Sequence, residues 1–481
     1  MISRNAAAAS ARRHDLAVIG GGIHGAQLAL AASQRGLKVL LLEAGDFGSG
    51  ASGNSLRILH GGLRYLQSAD LPRFYESVAE RRWHAQSFPE LVEPLACLMP
   101  LYAQGLKRRS VMRVALAAND WLSSHRNDAL EQRLCLPSSG TFGVAETVSR
   151  FPQVRQAGLE GSAQWYDYFM RSSERILVET ISRACALDAQ ALNYTRVVAL
   201  NSVDGRVTGL VAEDLLDGQR HEFQAEHICN CGGSGARALS AAVDRDFREL
   251  FVPSLAFNVL FECEPLGPRG LAVAAPEAGA PVYFLCPSPL GIWAGTEHVA
   301  RPENCTDSTV QESEIAAFMQ RINRAIPSAN LTLNNVRHVC SGLLPVSRAE
   351  SVELTGREAI IDHGRRRGLK GLYSATGIKF TTARKVAAKV LDAIVGANVP
   401  ASAPPTVHAP LSAHTRHLAD GASAGQLPDA AVVALVREVA AEEAVTSADD
   451  FCLRRTNWIF TARDYGRLRR LAASALMMEA A

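Results

Sequence analysis

The run Asp15-Leu16-Ala17-Val18-Ile19 is apolar in four of five positions and ends in glycines, which predicts a short strand buried on both faces. From Ala26 to Arg35 the chain is rich in Ala and Leu and stops at Gly36, which predicts a helix closed by a glycine. Leu37 to Leu42 predicts a second buried strand, ending in Glu43. Strand, helix and strand at this spacing form one βαβ unit. The Gly- and Ser-rich stretch 44–62 predicts a loop, and Leu71 to about Trp83 a helix. Alternation over 192–231, broken at Asp204-Gly205 and Asp217-Gly218, predicts β-hairpins. Pro-punctuated apolar runs over 251–300 predict further strands. Residues 371–377 predict a strand running into a turn, and Thr381 to Val395 a helix. The Ala-, Pro- and Ser-rich stretch 396–426 predicts a linker, and 427–481 a set of helices. Residues 1–13 lack the long apolar core of a secretory signal and predict a frayed tail.

Composition narrows the class. The 481 residues suffice for several domains, and 47% hydrophobic with 20% charged residues describes a folded globular chain. A net charge of +2 argues against a nucleic-acid binder. Of the 50 basic residues only six are Lys, at 38, 107, 370, 379, 385 and 389, so each Lys draws attention. The ten cysteines are irregularly spaced, which predicts reduced thiols and no metal site. Absence of any run of 18 apolar residues predicts no membrane-spanning helix.

The candidate chemistry starts at Gly20-x-Gly22-x-x-Gly25. Gly20 allows a tight turn, Gly22 lets backbone approach a pyrophosphate, and Gly25 lets helix pack on strand. The helix N-terminus then presents its partial positive charge to the phosphates. Glu43, ending the next strand, suits the hydroxyls of a ribose without a 2′-phosphate. FAD and NAD share this fingerprint, so the choice between them rests on other segments.

Those segments are Ser52-Gly53-Asn54-Ser55, then Leu59-His60-Gly61-Gly62-Leu63-Arg64-Tyr65-Leu66, and much later Gly377-Ile378-Lys379-Phe380-Thr381-Thr382-Ala383-Arg384-Lys385. Together with Asp449 to Thr456 they resemble the FAD-dependent glycerol-3-phosphate dehydrogenases of the D-amino-acid-oxidase-like superfamily. The resemblance spans residues 14 to about 470. It implies an α/β fold: a Rossmann-type FAD-binding domain from 14–90, 145–240 and 340–400, a mixed-sheet substrate domain from 91–144 and 241–339, and a C-terminal helical appendage over 427–481. It implies FAD held by Gly20, Gly22, Gly25, Glu43, Ser52, His60, Gly61, Gly62, Gly377, Lys379 and Thr381. His60 alone is equally well read as a structural histidine. The implied reaction is hydride transfer from a CH–OH carbon of a small-molecule substrate, with Arg64 and Lys379 on the substrate and His298 or Glu297 as the base.

The substrate half departs from the family pattern. Where the family carries an Arg for the substrate phosphate, this chain has Leu344, with Arg337 and Arg348 as the nearest replacements. Glu297-His298 stands where Thr-Asp is usual, and Ser172-Ser173 where an acidic pair is. An amine or amino-acid oxidase and a non-catalytic flavin-binding subunit are the rival readings. Residues 106–116 join basic and apolar positions at helical spacing, which suits either a membrane surface or packing on the core. Members of the family pass electrons to quinone, so the resemblance implies quinone or another electron acceptor as partner, and a cytoplasmic protein able to sit peripherally on the inner face of the cytoplasmic membrane.

Overall fold

A computed structural model describes residues 1–66, 68–102, 108–277, 279–396 and 414–477. Strand Arg13–Ile19 pairs in parallel with Val39–Leu42 on one side and with Arg220–Asn230 on the other. The sheet extends to Leu372–Thr376 and Ala359–Asp362 at one edge and to Gln190–Leu192 at the other. Side chains alternate along these strands. Leu16, Val18, Leu41 and Cys229 face helices Ile23–Gln34, Ser173–Ala186 and Ala383–Val395. Ala17, Ile19, Leu40 and Ile228 face the hairpin of Thr195–Val203 and Arg206–Asp214. Both faces are covered, which is why the strands read as continuous apolar runs. Helix Ile23–Gln34 lies between its two neighbours and buries Ile23, Ala26, Leu28, Ala29, Leu30 and Ala32.

A second, mostly antiparallel sheet runs in the order Val336–Pro345, Pro253–Glu262, Gly291–Ala300, Val282–Ser288, Gly270–Ala274, Val92–Leu101, Gly161–Met170 and Ile58–Leu59. Helix Glu312–Ala325 covers one face, packing Phe318 and Ile322 against Phe257, Phe261 and Tyr283. The opposite face abuts the loop that follows the first βαβ unit, where a Cβ on Gly342 would lie 2.9 Å from Ala51.

Three features differ from the sequence reading. Residues 161–170 and 340–345 pair in the second sheet, although contiguity along the chain attaches them to the first. Strand Gly161–Met170 is held there by ten paired positions with Val92–Leu101. The stretch read as a linker contains helices Thr415–Ala419 and Gly421–Gly425, with Leu418 and Ala424 buried; residues 397–413 lie outside the described residues. The N-terminal segment is docked: Ile2 is buried, its amide donates to the Glu442 carbonyl, and Arg4 pairs with Asp214. One isoleucine and a short alanine helix carry too weak a periodic signal to be seen in advance.

Candidate active site

The glycine-rich turn follows strand Arg13–Ile19. Gly20 has φ +108, and a Cβ on Gly25 would sit 1.9 Å from the Gly20 carbonyl oxygen, so the helix presses directly on the turn. Gly22 is the N-cap of that helix, and among the described residues only Ser52 Oγ lies near the position of an added Cβ. Ser52 Oγ accepts the Ile23 amide at 3.0 Å. The Glu43 carboxylate accepts the amides of Gly21 at 2.6 Å and Gly45 at 2.8 Å. Burial pushes the Glu43 carboxyl above its usual range, against those two amides. The structure therefore brings Gly20, Gly22, Gly25, Glu43 and Ser52 around one helix N-terminus, whose first-turn amides have no intrahelical acceptor. This cradle fits a pyrophosphate with an adjoining ribose.

A second cluster lies where the His60 loop meets the second sheet. Asp167, buried on strand Gly161–Met170, organises it. Its carboxylate accepts the Gly61 amide at 2.6 Å, Arg81 Nη1 at 2.8 Å and Trp165 Nε1 at 3.0 Å, and lies 3.9 Å from His60 Nδ1. A Cβ on Gly61 would lie 2.1 Å from Arg81, so the guanidinium runs directly beneath the loop. Gly62 follows with φ +86. His60 meets Phe284 edge-on at 5.9 Å. Desolvation pushes its pKa below the usual value; Asp167 opposes this, and Lys379, Arg81 and Arg64 add to it.

Arg64 is exposed on the short helix Leu63–Leu66. Lys379 Nζ lies 4.3 Å from the centre of the Tyr65 ring. Burial, and then the charge of Arg64, bring Lys379 down to about 8. Burial also lowers His298, with Glu297 opposing and Arg64 assisting. Arg64 thus acts electrostatically on His60, Lys379 and His298 at once. The lead into helix Ala383–Val395 buries Thr381 and is tied down by Arg384, whose two bonds to buried Glu80 span 3.0 and 2.5 Å. Gly377 lies against His24, where a Cβ would fall 2.1 Å from Nε2, which joins this segment to the glycine-rich helix.

Glu297 is not part of this cluster. It points to the other face of strand Gly291–Ala300, where it accepts the Tyr283 hydroxyl at 2.7 Å and pairs with Arg321. Strand alternation separates it from its neighbour His298. Arg337 is likewise committed elsewhere, donating to the carbonyls of Ile459 and Ala462 at 3.1 and 2.7 Å. Leu344 stays on the His298 face: Ala256 pairs with both His298 and Gly342, and Leu344 is two residues beyond Gly342. Asp167 and Arg81 were missed in the sequence. The only signal was an acid within the otherwise apolar and aromatic run Trp165 to Tyr168.

A parallel sheet with a glycine-rich first turn, joined to a second sheet beside which Arg64, Lys379 and His60 gather, is the arrangement of a dinucleotide-binding α/β protein with a second sheet domain. The family model of FAD dependent oxidoreductases (DAO) matches residues 15–390, and the chain belongs to that family. FAD is the family's cofactor. The chain is 27% identical over 414 residues to a glycerol-3-phosphate dehydrogenase of Synechocystis, covering 82% of this chain and 71% of the relative. It is 28% identical over 340 residues to an alpha-glycerophosphate oxidase of Lactococcus lactis, covering 69% of this chain but 54% of the relative. The solved glycerol-3-phosphate dehydrogenase of Bacillus halodurans, complexed with FAD, matches with a TM-score of 0.70 at 19% identity, covering 98% of this chain and 96% of that one.

Proposed function

We propose that this FAD-dependent oxidoreductase oxidises the CH–OH group of a small hydroxylated substrate bound between Arg64, Lys379 and His298. When bound, FAD supplies the acceptor for the hydride leaving that carbon. The adenosine half is assigned to Gly20, Gly22, Gly25, Glu43 and Ser52. The flavin end is assigned to His60, Gly61, Gly62, Gly377, Lys379 and Thr381. Arg64 and Lys379 hold an oxygen-rich anionic group, Arg64 as a planar fork and Lys379 as a point charge. His298, kept neutral by burial, takes the hydroxyl proton as general base. The observation that carries the reading is that Lys379 lies 4.3 Å from the ring of Tyr65, next to Arg64, while Gly377 of its own segment packs on His24 of the glycine-rich helix.

Leu344 on the same sheet face supports a substrate less dependent on phosphate than glycerol 3-phosphate. By sheet membership, residues 58–59, 92–101, 140–142, 161–170 and 253–345 form the substrate domain, the C-terminal helices from 415 to 477 a domain of their own, and the remaining flanking segments the FAD domain. The electron acceptor is a quinone, reached from a membrane surface. Helix Arg109–Leu122 buries Met112 and Leu116 but exposes Val111, Val114 and Trp121 beside Arg109 and Arg113, a pattern suited to an anionic interface. Leu106 and Lys107 of that segment lie outside the described residues. Among the described residues no helix is long and apolar enough to cross a membrane. These features favour a cytoplasmic protein peripheral on the inner face of the membrane.

The test is anaerobic bleaching of the flavin by a panel of hydroxy and amino compounds. Bleaching by hydroxy compounds, lost in Lys379→Met and His298→Ala with FAD retained, is expected. Bleaching by amines alone would replace this reading with that of an amine oxidase, and no bleaching by any compound would favour a non-catalytic subunit.

A further inference from the structure

The loop between the two cofactor clusters, residues 44–57, is held at both ends by one short stretch of the C-terminal helical domain. At the first end stands Asp46, sealed from solvent and three residues after Glu43. Its carboxylate accepts Arg455 Nη1 at 2.7 Å and Nη2 at 2.9 Å, Arg454 Nε at 2.7 Å and Asn193 Nδ2 at 2.9 Å. Both arginines are fixed in turn, Arg454 by Asp450 at 2.6 Å and Arg455 by the Glu443 carbonyl at 2.9 Å. At the second end stands Arg57, also buried and three residues before His60. It donates to Asn457 Oδ1 and to Glu174 at 2.7 Å, and its guanidinium lies 3.8 Å from the centre of the Phe460 ring.

Docking an appended domain needs only apolar surface. Burying charges at both roots of one loop costs desolvation, and in some proteins such pairs serve to fix one geometry. From this arrangement, and resting on the FAD reading above, we infer that residues 454–460 are a positioning clamp for the cofactor loop. Arg454 and Arg455 set its adenosine end through Asp46; Asn457 and Phe460 set its flavin end through Arg57. The C-terminal domain thereby completes the cofactor site without touching the cofactor.

Each end has its own readout when the full-length protein, stripped of flavin, is titrated with FAD and with ADP. Asp46→Asn should raise the dissociation constants of both ligands about tenfold or more, because a loosened supporting shell misplaces the groups it carries. Asn457→Ala should raise that of FAD by about tenfold and leave ADP within about twofold, since only the flavin end is released. Arg469→Met, which breaks the exposed pair with Asp449 in the same domain, should leave both within about twofold. If Asp46→Asn does not fold, Arg454→Met, which leaves the Arg455 pair intact, should weaken both ligands by roughly three- to tenfold. Dissociation constants unchanged in the clamp variants, or equal loss of FAD and ADP in Asn457→Ala, would overturn the clamp while leaving the FAD reading intact. A wild-type protein that takes up neither FAD nor ADP would overturn both.

Discussion

The Gly61 amide donates to the Asp167 carboxylate at 2.6 Å, across a sequence separation of 106 residues. This bond fixes the His60 loop to the second sheet, and the Arg81 guanidinium shares the same oxygen. Asp167→Ala should leave Arg81 buried and uncompensated, at a cost of about 3–5 kcal/mol. Denaturant unfolding should register that loss. Asp167→Asn, which keeps an oxygen acceptor, should lose less stability yet still perturb the visible flavin spectrum.

Gly25→Ala should abolish FAD retention. Its Cβ would fall 1.9 Å from the Gly20 carbonyl oxygen, so either the helix must leave the strand or the turn must open. Gly22→Val should also prevent binding, by intruding on the pyrophosphate path. Absorbance of the purified protein near the flavin bands reads both outcomes, and Gly140→Ala, where an added Cβ meets nothing within 4 Å, is the control.

The pH dependence of an anionic substrate should report Lys379. Burial and Arg64 lower its pKa to about 8, so the cationic form is lost as pH rises through that value. The kcat/KM for an anionic substrate should therefore fall above about pH 8. Arg64→Met removes a like charge and should move the break upward. The linkage to stability has a definite sign. Between about 8 and the ordinary value near 10.4 the unfolded chain binds the extra proton, so Lys379 makes stability rise with pH across that window. A break unmoved by Arg64→Met would assign it to another group.

Glycerol 3-phosphate should reduce the flavin poorly, and Leu344→Arg should improve it. Hydrogen bonds to a charged partner contribute about 1.5–3 kcal/mol, so KM should fall roughly 10- to 100-fold if the Leu344 position faces the phosphate. Efficient reduction by the unmodified protein would mean that another cation serves; Arg348, exposed beyond the end of strand Val336–Pro345, is then the first to change.

Pelleting with anionic liposomes should depend on Trp121, which is 76% exposed, and on Val114, which is 69% exposed. Val114→Glu with Trp121→Glu should release the protein, and so should raised salt, which screens Arg109 and Arg113. Pelleting equal to wild type at low salt would remove this helix from the membrane contact.

The first βαβ unit, its glycines and Glu43 were legible in the sequence because every element involved is local. A strand, a turn and a helix within thirty residues are specified by apolar runs and by backbone geometry that few residues but glycine adopt. The resemblance of the segments around His60 and Lys379 to a flavoprotein family likewise came from short contiguous motifs. What the sequence could not decide was anything set by pairing across the chain. The register of Val92–Leu101 with Gly161–Met170 carries Asp167 to Gly61. Strand alternation sends Glu297 into the core beside Tyr283 and leaves His298 on the opposite face, with Gly342. Arg337, close to Leu344 in sequence, is drawn to the C-terminal carbonyls, and Asp46 meets Arg455 across 409 residues. Such contacts depend on which apolar surfaces find each other in three dimensions, and a buried charge then takes whichever partner that packing brings within reach.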